Sequence, residues 1–369
     1  MKNTKGKQML ITDERRNLYR DLDTLSLPAD AALKLAALGI TTLDELRDHW
    51  AYGNRERIIA YLGESPLRFV SAPPERFLAT RGVAGAPSNV VNLLDAGRAR
   101  PLVKRARGVL LSAAERQTAA TDVEMPAAAL ATRRATSATR TVSLVSQFPA
   151  VRQQHDRGTC VAFASVAYLE FHLSEAASAR AKRHSEQFVY WACKQDDDRP
   201  RDEGTFVSTA RTVLKERGAC LSRTWKYNRL PIANNEGQGP PPAGAKAEAL
   251  ESRWPKAKKL AAKIPDRIQQ QLDAQRPVVL SVLTFPSWDF ATVADTGEIP
   301  MPIPGDKPDG GHAICVVGYE LNPRFPGGGA FVFRNSWGTT WAKPQGRFGV
   351  GYGTLFFDYV KKYGMEAFV

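Results

Sequence analysis

The feature that most constrains this chain is an abrupt change of character at residue 160. Val151-Arg152-Gln153-Gln154-His155-Asp156-Arg157-Gly158-Thr159 is polar and holds a glycine turn, and Cys160-Val161-Ala162-Phe163-Ala164 follows at once. Between Val161 and Leu173 the one acidic side chain is Glu170. A helix that is apolar on nearly every side has to be buried, so this run predicts a core helix starting near Cys160. Its first turn offers unpaired N–H groups and the positive end of the helix dipole, a setting that favours a thiolate. A cysteine at a helix start is most often just a small buried residue, so chemistry requires a base and a stabiliser elsewhere in the chain.

A base stands far downstream in Gly310-Gly311-His312-Ala313-Ile314-Cys315-Val316-Val317-Gly318-Tyr319, where a histidine opens an apolar run that reads as a β-strand. A third element, Phe331-Val332-Phe333-Arg334-Asn335-Ser336-Trp337-Gly338-Thr339-Thr340-Trp341, is a short strand that ends at an amide and then places two tryptophans around a glycine. An asparagine there can fix the tautomer and orientation of an imidazole, and an indole can keep water off that hydrogen bond.

In residue type, chain order and spacing these three segments resemble the papain-like cysteine peptidases of bacterial type. Gln154, six positions before Cys160, matches the family's oxyanion-hole glutamine. Ser185-Glu186-Gln187 and Asn335-Ser336-Trp337-Gly338 match further family segments, and Gly204 falls where the family keeps a glycine whose backbone pairs with substrate. The resemblance runs from about Ser143 to the C-terminus. It implies an α+β, two-lobed fold, with a helical left lobe that starts at Cys160 and an antiparallel β right lobe carrying His312 and Asn335. It implies a Cys160–His312 thiolate–imidazolium pair, an oxyanion hole built from Gln154 and the Cys160 N–H, Asn335 aligning the ring, Trp337 shielding it, and hydrolysis through a thioester with no metal and no organic cofactor. Departures are visible as well. Arg157 stands where many relatives have a disulfide cysteine, Val161 replaces a tryptophan, and Gly311 replaces a residue that is often acidic.

The rest of the chain divides by pattern. Leu33, Leu35, Leu38, Ile40, Leu43, Leu46, Ile58, Ile59 and Leu62 recur at roughly helical spacing, which predicts a small all-α module over 1–70. Within it Leu-Gly-Ile-Thr-Thr-Leu-Asp-Glu-Leu at 38–46 resembles a helix-hairpin-helix unit, with Gly39 closing one helix and Thr41 or Thr42 capping the next. Residues 71–140 shift to Ala, Pro, Arg, Thr and Ser and read as a linker or regulatory segment before a peptidase domain at 141–369. Arg98, Arg100, Lys104, Arg105 and Arg107 cluster in the linker, and Lys256, Lys258, Lys259 and Lys263 read as a basic helical face. Residues 234–246, rich in Gly and Pro, read as a surface loop. The family's inhibitory helix pattern is missing before residue 140, so residues 1–135 are expected to dock a partner rather than cover the cleft.

Charge and cysteine content limit the remaining classes. The chain carries 51 Lys plus Arg against 38 Asp plus Glu, which leaves room for an acidic partner or phosphate. The four cysteines, Cys160, Cys193, Cys220 and Cys315, have neither disulfide-framework nor zinc spacing. Met1 to Asn17 lacks the apolar core of a secretory signal, and no run reaches the length of a membrane span. These points predict a cytoplasmic protein without membrane association, and the resemblance implies an endopeptidase acting on proteins or peptides, with a protein partner for residues 1–70. The competing readings are a catalytically weak papain-fold binding protein, and a nucleic-acid-binding protein that carries such a domain.

Overall fold

Helix burial sets the architecture, and the helix that begins at the cysteine is its centre. In a computed structural model of the chain, residues 29–62, 100–121, 123, 140–177, 182–343 and 345–369 are described. The chain divides into two compact units, residues 1–35 with 40–99, and residues 36–39 with 100–369. Arg100 to Thr121, expected within a linker, therefore belong to the larger unit. The remainder of the expected linker, apart from Val123 and Arg140, lies outside the described residues.

The described part of the smaller module contains helices α1 (Ala29–Ala37), α2 (Leu43–His49) and α3 (Arg55–Leu62). Gly39 takes a left-handed φ of 69° in the turn after α1. Thr42 then caps α2 in a reciprocal capping box with Glu45. Tyr61 donates its hydroxyl proton to the Lys34 carbonyl at 3.1 Å and so ties α3 to α1. Leu33, counted among the periodic apolar positions, is exposed.

In the larger unit, α4 (Ala113–Ala120) precedes β1 (Thr141–Ser143), α5 (Cys160–Ala177), α6 (Glu186–Asp196), α7 (Val207–Glu216) and α8 (Ala245–Leu250). Then follow β2 (Lys259–Leu260), α9 (Pro265–Asp273), β3 (Val278–Thr284), α10 (Ala291–Thr296), β4 (Glu298–Ile299), β5 (Gly310–Leu321), β6 (Gly329–Arg334), β7 (Tyr352–Phe356), α11 (Phe357–Tyr363) and β8 (Gly364–Phe368). The sheet runs β2-β8-β3-β5-β6-β7-β4 with β1 added on β5. Every pairing is antiparallel except β4 with β7. This is the α+β arrangement expected from the sequence, with α5 packed on the face of β5 and β3. The stretch from Trp254 to Ile264 is not a helix: Lys259 opens β2, which pairs with β8, and Lys256, Lys258 and Lys263 lie on either side of that strand.

Two arginines fasten the polar segment ahead of α5. Arg334, the last residue of β6, donates to the carbonyls of Pro149 at 2.6 Å and Ala150 at 2.8 Å. Arg152 reaches Glu170 at 2.5 Å and Glu186 at 2.8 Å, and donates to the His184 carbonyl at 3.1 Å. Glu170, the one acid of the apolar run, is thus the buried counter-charge that joins α5 to the chain on both sides of it. Removing the shared cation would strand two carboxylates in the interior. Arg152→Met is expected to lower the unfolding free energy of the full chain by about 3–5 kcal/mol, read by urea denaturation. A loss below about 1 kcal/mol would show that the two acids do not depend on Arg152.

Candidate active site

Antiparallel register brings the sequence-predicted residues together. His312 lies near the start of β5, and Cys315 of that strand pairs with Arg334, the last residue of β6. Asn335 follows immediately, so the end of β6 delivers its amide beside the beginning of β5. On the other side of His312, α5 begins at Cys160, whose Sγ accepts the Ala313 N–H at 3.4 Å. The sulfur is therefore held one residue from the imidazole.

The hydrogen bonds dictate a single tautomer. Asn335 Oδ1 accepts from the Ser336 N–H at 2.8 Å, which fixes the oxygen rather than the NH2 on that side of the amide. The same oxygen lies 2.8 Å from His312 Nε2, so Nε2 carries the proton and donates it. His312 Nδ1 is left with its lone pair and makes no hydrogen bond. Trp337 stacks on the ring with centroids 4.6 Å apart, and Trp288 meets it edge-on at 5.6 Å. Cys160 and His312 are both fully buried. Burial pushes the Cys160 thiol up to about 12, against the pull of the backbone N–H groups of Ala313, Val161 and Cys160 itself. Burial also pushes His312 down to about 3, although the Asn335 bond acts in the opposite direction. In this covered arrangement burial favours the neutral form of both groups.

Gln154 is oriented by the same elements. Its Oε1 accepts the Ser336 hydroxyl at 2.5 Å, which leaves Nε2 as donor to the Arg157 carbonyl at 2.8 Å and to the Ala106 carbonyl at 3.1 Å. Trp337 Nε1 donates to that same Ala106 oxygen at 3.0 Å. A peptide carbonyl of the chain's own extended segment thus occupies the donors beside the cysteine.

That segment runs through the site from Val103 to Leu111. Val103 N–H donates to the Asp289 carbonyl at 2.7 Å, and Gly108 and Val109 N–H both donate to the Gly311 carbonyl, at 3.3 and 3.2 Å. Thr205 N–H donates to the Gly108 carbonyl at 3.1 Å and Leu110 N–H to the Thr205 carbonyl at 3.0 Å, with Val109 and Thr205 paired in parallel. The passage is so close that a Cβ on Gly108 would stand 1.9 Å from the Gly158 carbonyl oxygen. Beyond Leu111, Ser112 caps α4 through a capping box with Glu115.

One expected contact moves by a residue. The sequence pointed to Gly204 as the position whose backbone pairs with a bound chain. Gly204 instead gives its N–H to the Tyr190 hydroxyl at 2.9 Å, and its carbonyl accepts from Lys194 Nζ at 2.9 Å. Its left-handed φ of 94° turns the chain so that Thr205 presents both backbone groups to the segment.

Sequence reasoning missed three features. Arg157 is buried and donates to Gln187 Oε1 at 2.8 Å and to the carbonyls of Asn228 at 2.7 Å and Glu236 at 3.0 Å, lying over the rings of Tyr190 and Tyr227. It ties the expected surface loop to the turn ahead of Cys160 through hydrogen bonds. The basic cluster, expected within the linker, is partly engaged by acids of the larger unit: Arg100 with Asp295 at 2.5 Å, and Arg107 with Asp289 at 3.0 Å and Asp309 at 2.7 Å. The short apolar run Val109-Leu110-Leu111 after that cluster was the available signal for an extended segment. Cys193, Cys220 and Cys315 are buried free thiols. Among the described residues no group of side chains could hold a metal ion, and no helix is long and apolar enough to cross a membrane.

Comparison with known proteins bears on this geometry. The chain is 28% identical over 180 residues to an uncharacterised peptidase C1-like protein of Acanthamoeba polyphaga mimivirus, an alignment covering 45% of this chain and 55% of the relative. The chain thus spans about half the length of the curated relative it matches. Its fold is similar to that of xylellain, a cysteine protease from Xylella fastidiosa, with a TM-score of 0.54 at 19% identity, covering 74% of this chain and 97% of xylellain. A digestive procathepsin L 3 from Tenebrio molitor larval midgut superposes with a TM-score of 0.45 at 15% identity, covering 62% of this chain and 68% of that one. The papain family cysteine protease profile matches residues 138–363, more than half of the chain. With the Cys160, His312 and Asn335 segments adjacent in a fold of that kind, this chain belongs to the papain family of cysteine proteases.

Proposed function

We propose that the chain is a cysteine endopeptidase whose nucleophile is Cys160, and that its residues 103–111 hold it latent. The observation that carries the first part is the His312 ring. Nε2 is committed to Asn335, and Nδ1 stands bare next to the residue whose N–H binds the Cys160 sulfur. Once water and substrate replace the covering segment, the desolvation that keeps thiol and imidazole neutral falls away, and the proton can pass from Sγ to Nδ1. The thiolate attacks the peptide carbonyl, and the developing oxyanion is held by Gln154 Nε2 and the Cys160 N–H. Nδ1–H then protonates the leaving amine. A water activated by neutral His312 opens the thioester, while Asn335 keeps the ring aligned through both steps.

Latency is supported by what Ala106 occupies. Its carbonyl takes the Gln154 amide proton that the mechanism reserves for the oxyanion, and the neighbouring backbone fills the Gly311 and Thr205 hydrogen bonds. This favours covering over docking for Val103 to Leu111, against the expectation drawn from the missing inhibitory helix pattern. It also weighs against the nucleic-acid reading, because Arg100 and Arg107 already have carboxylate partners.

Two outcomes are expected. Gln154→Ala should lower kcat on a fluorogenic peptide by about 10- to 1000-fold, the range for loss of one oxyanion donor; unchanged turnover would remove Gln154 from the site. Gly108→Leu in the full chain should raise initial turnover about tenfold or more, because a side chain at 108 collides with the Gly158 carbonyl. Equal or lower turnover by a folded Gly108→Leu protein, at the same titre of active cysteine, would refute latency.

A further inference from the structure

The Arg107 side chain occupies a notch whose walls belong to the peptidase sheet. Asp289 ends the short helical turn after β3, and Asp309 directly precedes β5, three residues before His312. Asp309 is locked in place, since its N–H donates to the Thr284 carbonyl at 3.0 Å and its Oδ1 accepts the Thr284 hydroxyl at 2.9 Å. Asp289 is only 8% exposed, and its Oδ1 has the Arg107 guanidinium as ion partner but no well-aligned hydrogen bond. Gly310 forms the floor: a Cβ there would meet Arg107 Cδ at 3.8 Å. Trp288, beside Asp289, is the ring that meets His312 edge-on. The notch therefore adjoins the reacting groups, and a guanidinium already fills it.

The cations that act on Asp289, Arg105 and Arg107, both come from the covering segment. When that segment leaves, Asp289 and Asp309 lose the guanidinium between them and face the cleft as two neighbouring carboxylates, each raising the cost of the other's charge. Burial raises the Asp289 carboxyl, the Arg107 charge opposes that shift, and the Asp309 charge adds to it. A replacement cation is the arrangement's electrostatic requirement. Two acids spaced to receive separate guanidinium nitrogens suit arginine better than lysine. Arg107 is next in sequence to Ala106, whose carbonyl sits on the Gln154 donor, so the side chain that fits this notch belongs to a residue adjacent to the scissile carbonyl.

We propose that Asp289 and Asp309 form a guanidinium subsite that makes the enzyme prefer peptides bearing arginine beside the scissile bond, and that Arg107 is the chain's own occupant of it. The proposal rests on the reading of Cys160 as a peptidase nucleophile. Salt dependence follows from the geometry: preference should fall as ionic strength rises, but less than for a pair on open surface, because Asp289 is buried.

The test uses the full-length Gly108→Leu protein, in which the covering segment is displaced, with the aspartate variants made in that protein, and two peptides identical except for arginine or its neutral isostere citrulline at the residues flanking the scissile bond. Expected is at least a tenfold higher kcat/KM for the arginine peptide, a smaller ratio in Asp289→Asn and in Asp309→Asn, and a ratio within twofold of one in the double variant. The ratio is internal to each protein, so partial misfolding does not imitate the result. Equal rates for the two peptides in the Gly108→Leu protein with both aspartates intact, or a preference that survives when both are replaced, would overturn the subsite. The same pair built as chloromethyl ketones reads alkylation of Cys160. Arginine-selective alkylation without hydrolysis of either peptide would keep the subsite and refute the peptidase reading, whereas unselective hydrolysis would do the reverse.

Discussion

A buried imidazole can hold only the proton arrangement its neighbours allow, and at His312 one oxygen decides it. Asn335 Oδ1 accepts from both the Ser336 N–H and His312 Nε2, so the lone pair is forced onto Nδ1. Everything else in the site follows from keeping that oxygen where it is. Antiparallel pairing of β5 with β6 fixes the distance, and Arg334 anchors the end of β6 to Pro149 and Ala150. Ser336 also orients Gln154, so the proposed base and the proposed oxyanion donor are set by consecutive residues of one turn. The aromatic cluster of Trp288, Trp337 and Trp341 keeps water from competing for these bonds.

The same site is closed by backbone packed against backbone. Gly108 passes the Gly158 carbonyl where no side chain fits, a Cβ on Gly158 would stand 2.6 Å from the Arg107 carbonyl oxygen, and one on Gly204 would stand 2.7 Å from that of Gly108. Three glycines at one crossing allow an approach that places Ala106 on the Gln154 donor, Gly108 on Gly311 and Leu110 on Thr205. The specificity proposed for the enzyme and its proposed latency are then one electrostatic arrangement. The acids that would receive a substrate cation are neutralised by Arg107 until the segment moves.

How much of this the sequence disclosed varied with the distance over which each residue acts. Cys160, His312 and Asn335 sit in local contexts, a buried helix start or a strand boundary, that mark them as candidates within ten residues, whereas Gln154 was singled out only by the family resemblance. The α+β layout came from the family resemblance, and the capping of α2 was narrowed to Thr41 or Thr42 before the Glu45 contact singled out Thr42. Gly204 was displaced by one position because its own left-handed turn uses up its N–H and carbonyl, a tertiary effect with no local signature. The partners of Arg100 and Arg107 lie far along the chain, and nothing in a basic run says which acids will meet it. Arg157 was seen as the absence of a cysteine, not as the hub that holds Gln187, Asn228 and Glu236.

Latency, as proposed, is a complete thiol–imidazole site kept neutral and covered by the chain's own residues 103–111. The most direct measurement is the pH dependence of iodoacetamide alkylation at Cys160, followed by peptide mapping in the full chain and in the Gly108→Leu protein, with buried Cys193 and Cys315 as internal references. A raised thiol pKa keeps the protonated, unreactive form dominant through neutral pH. Latency predicts slow labelling of Cys160 in the full chain at pH 7 and labelling about tenfold or more faster when residue 108 is enlarged, with the references unchanged. Equally fast labelling of Cys160 at pH 7 in both proteins would contradict it.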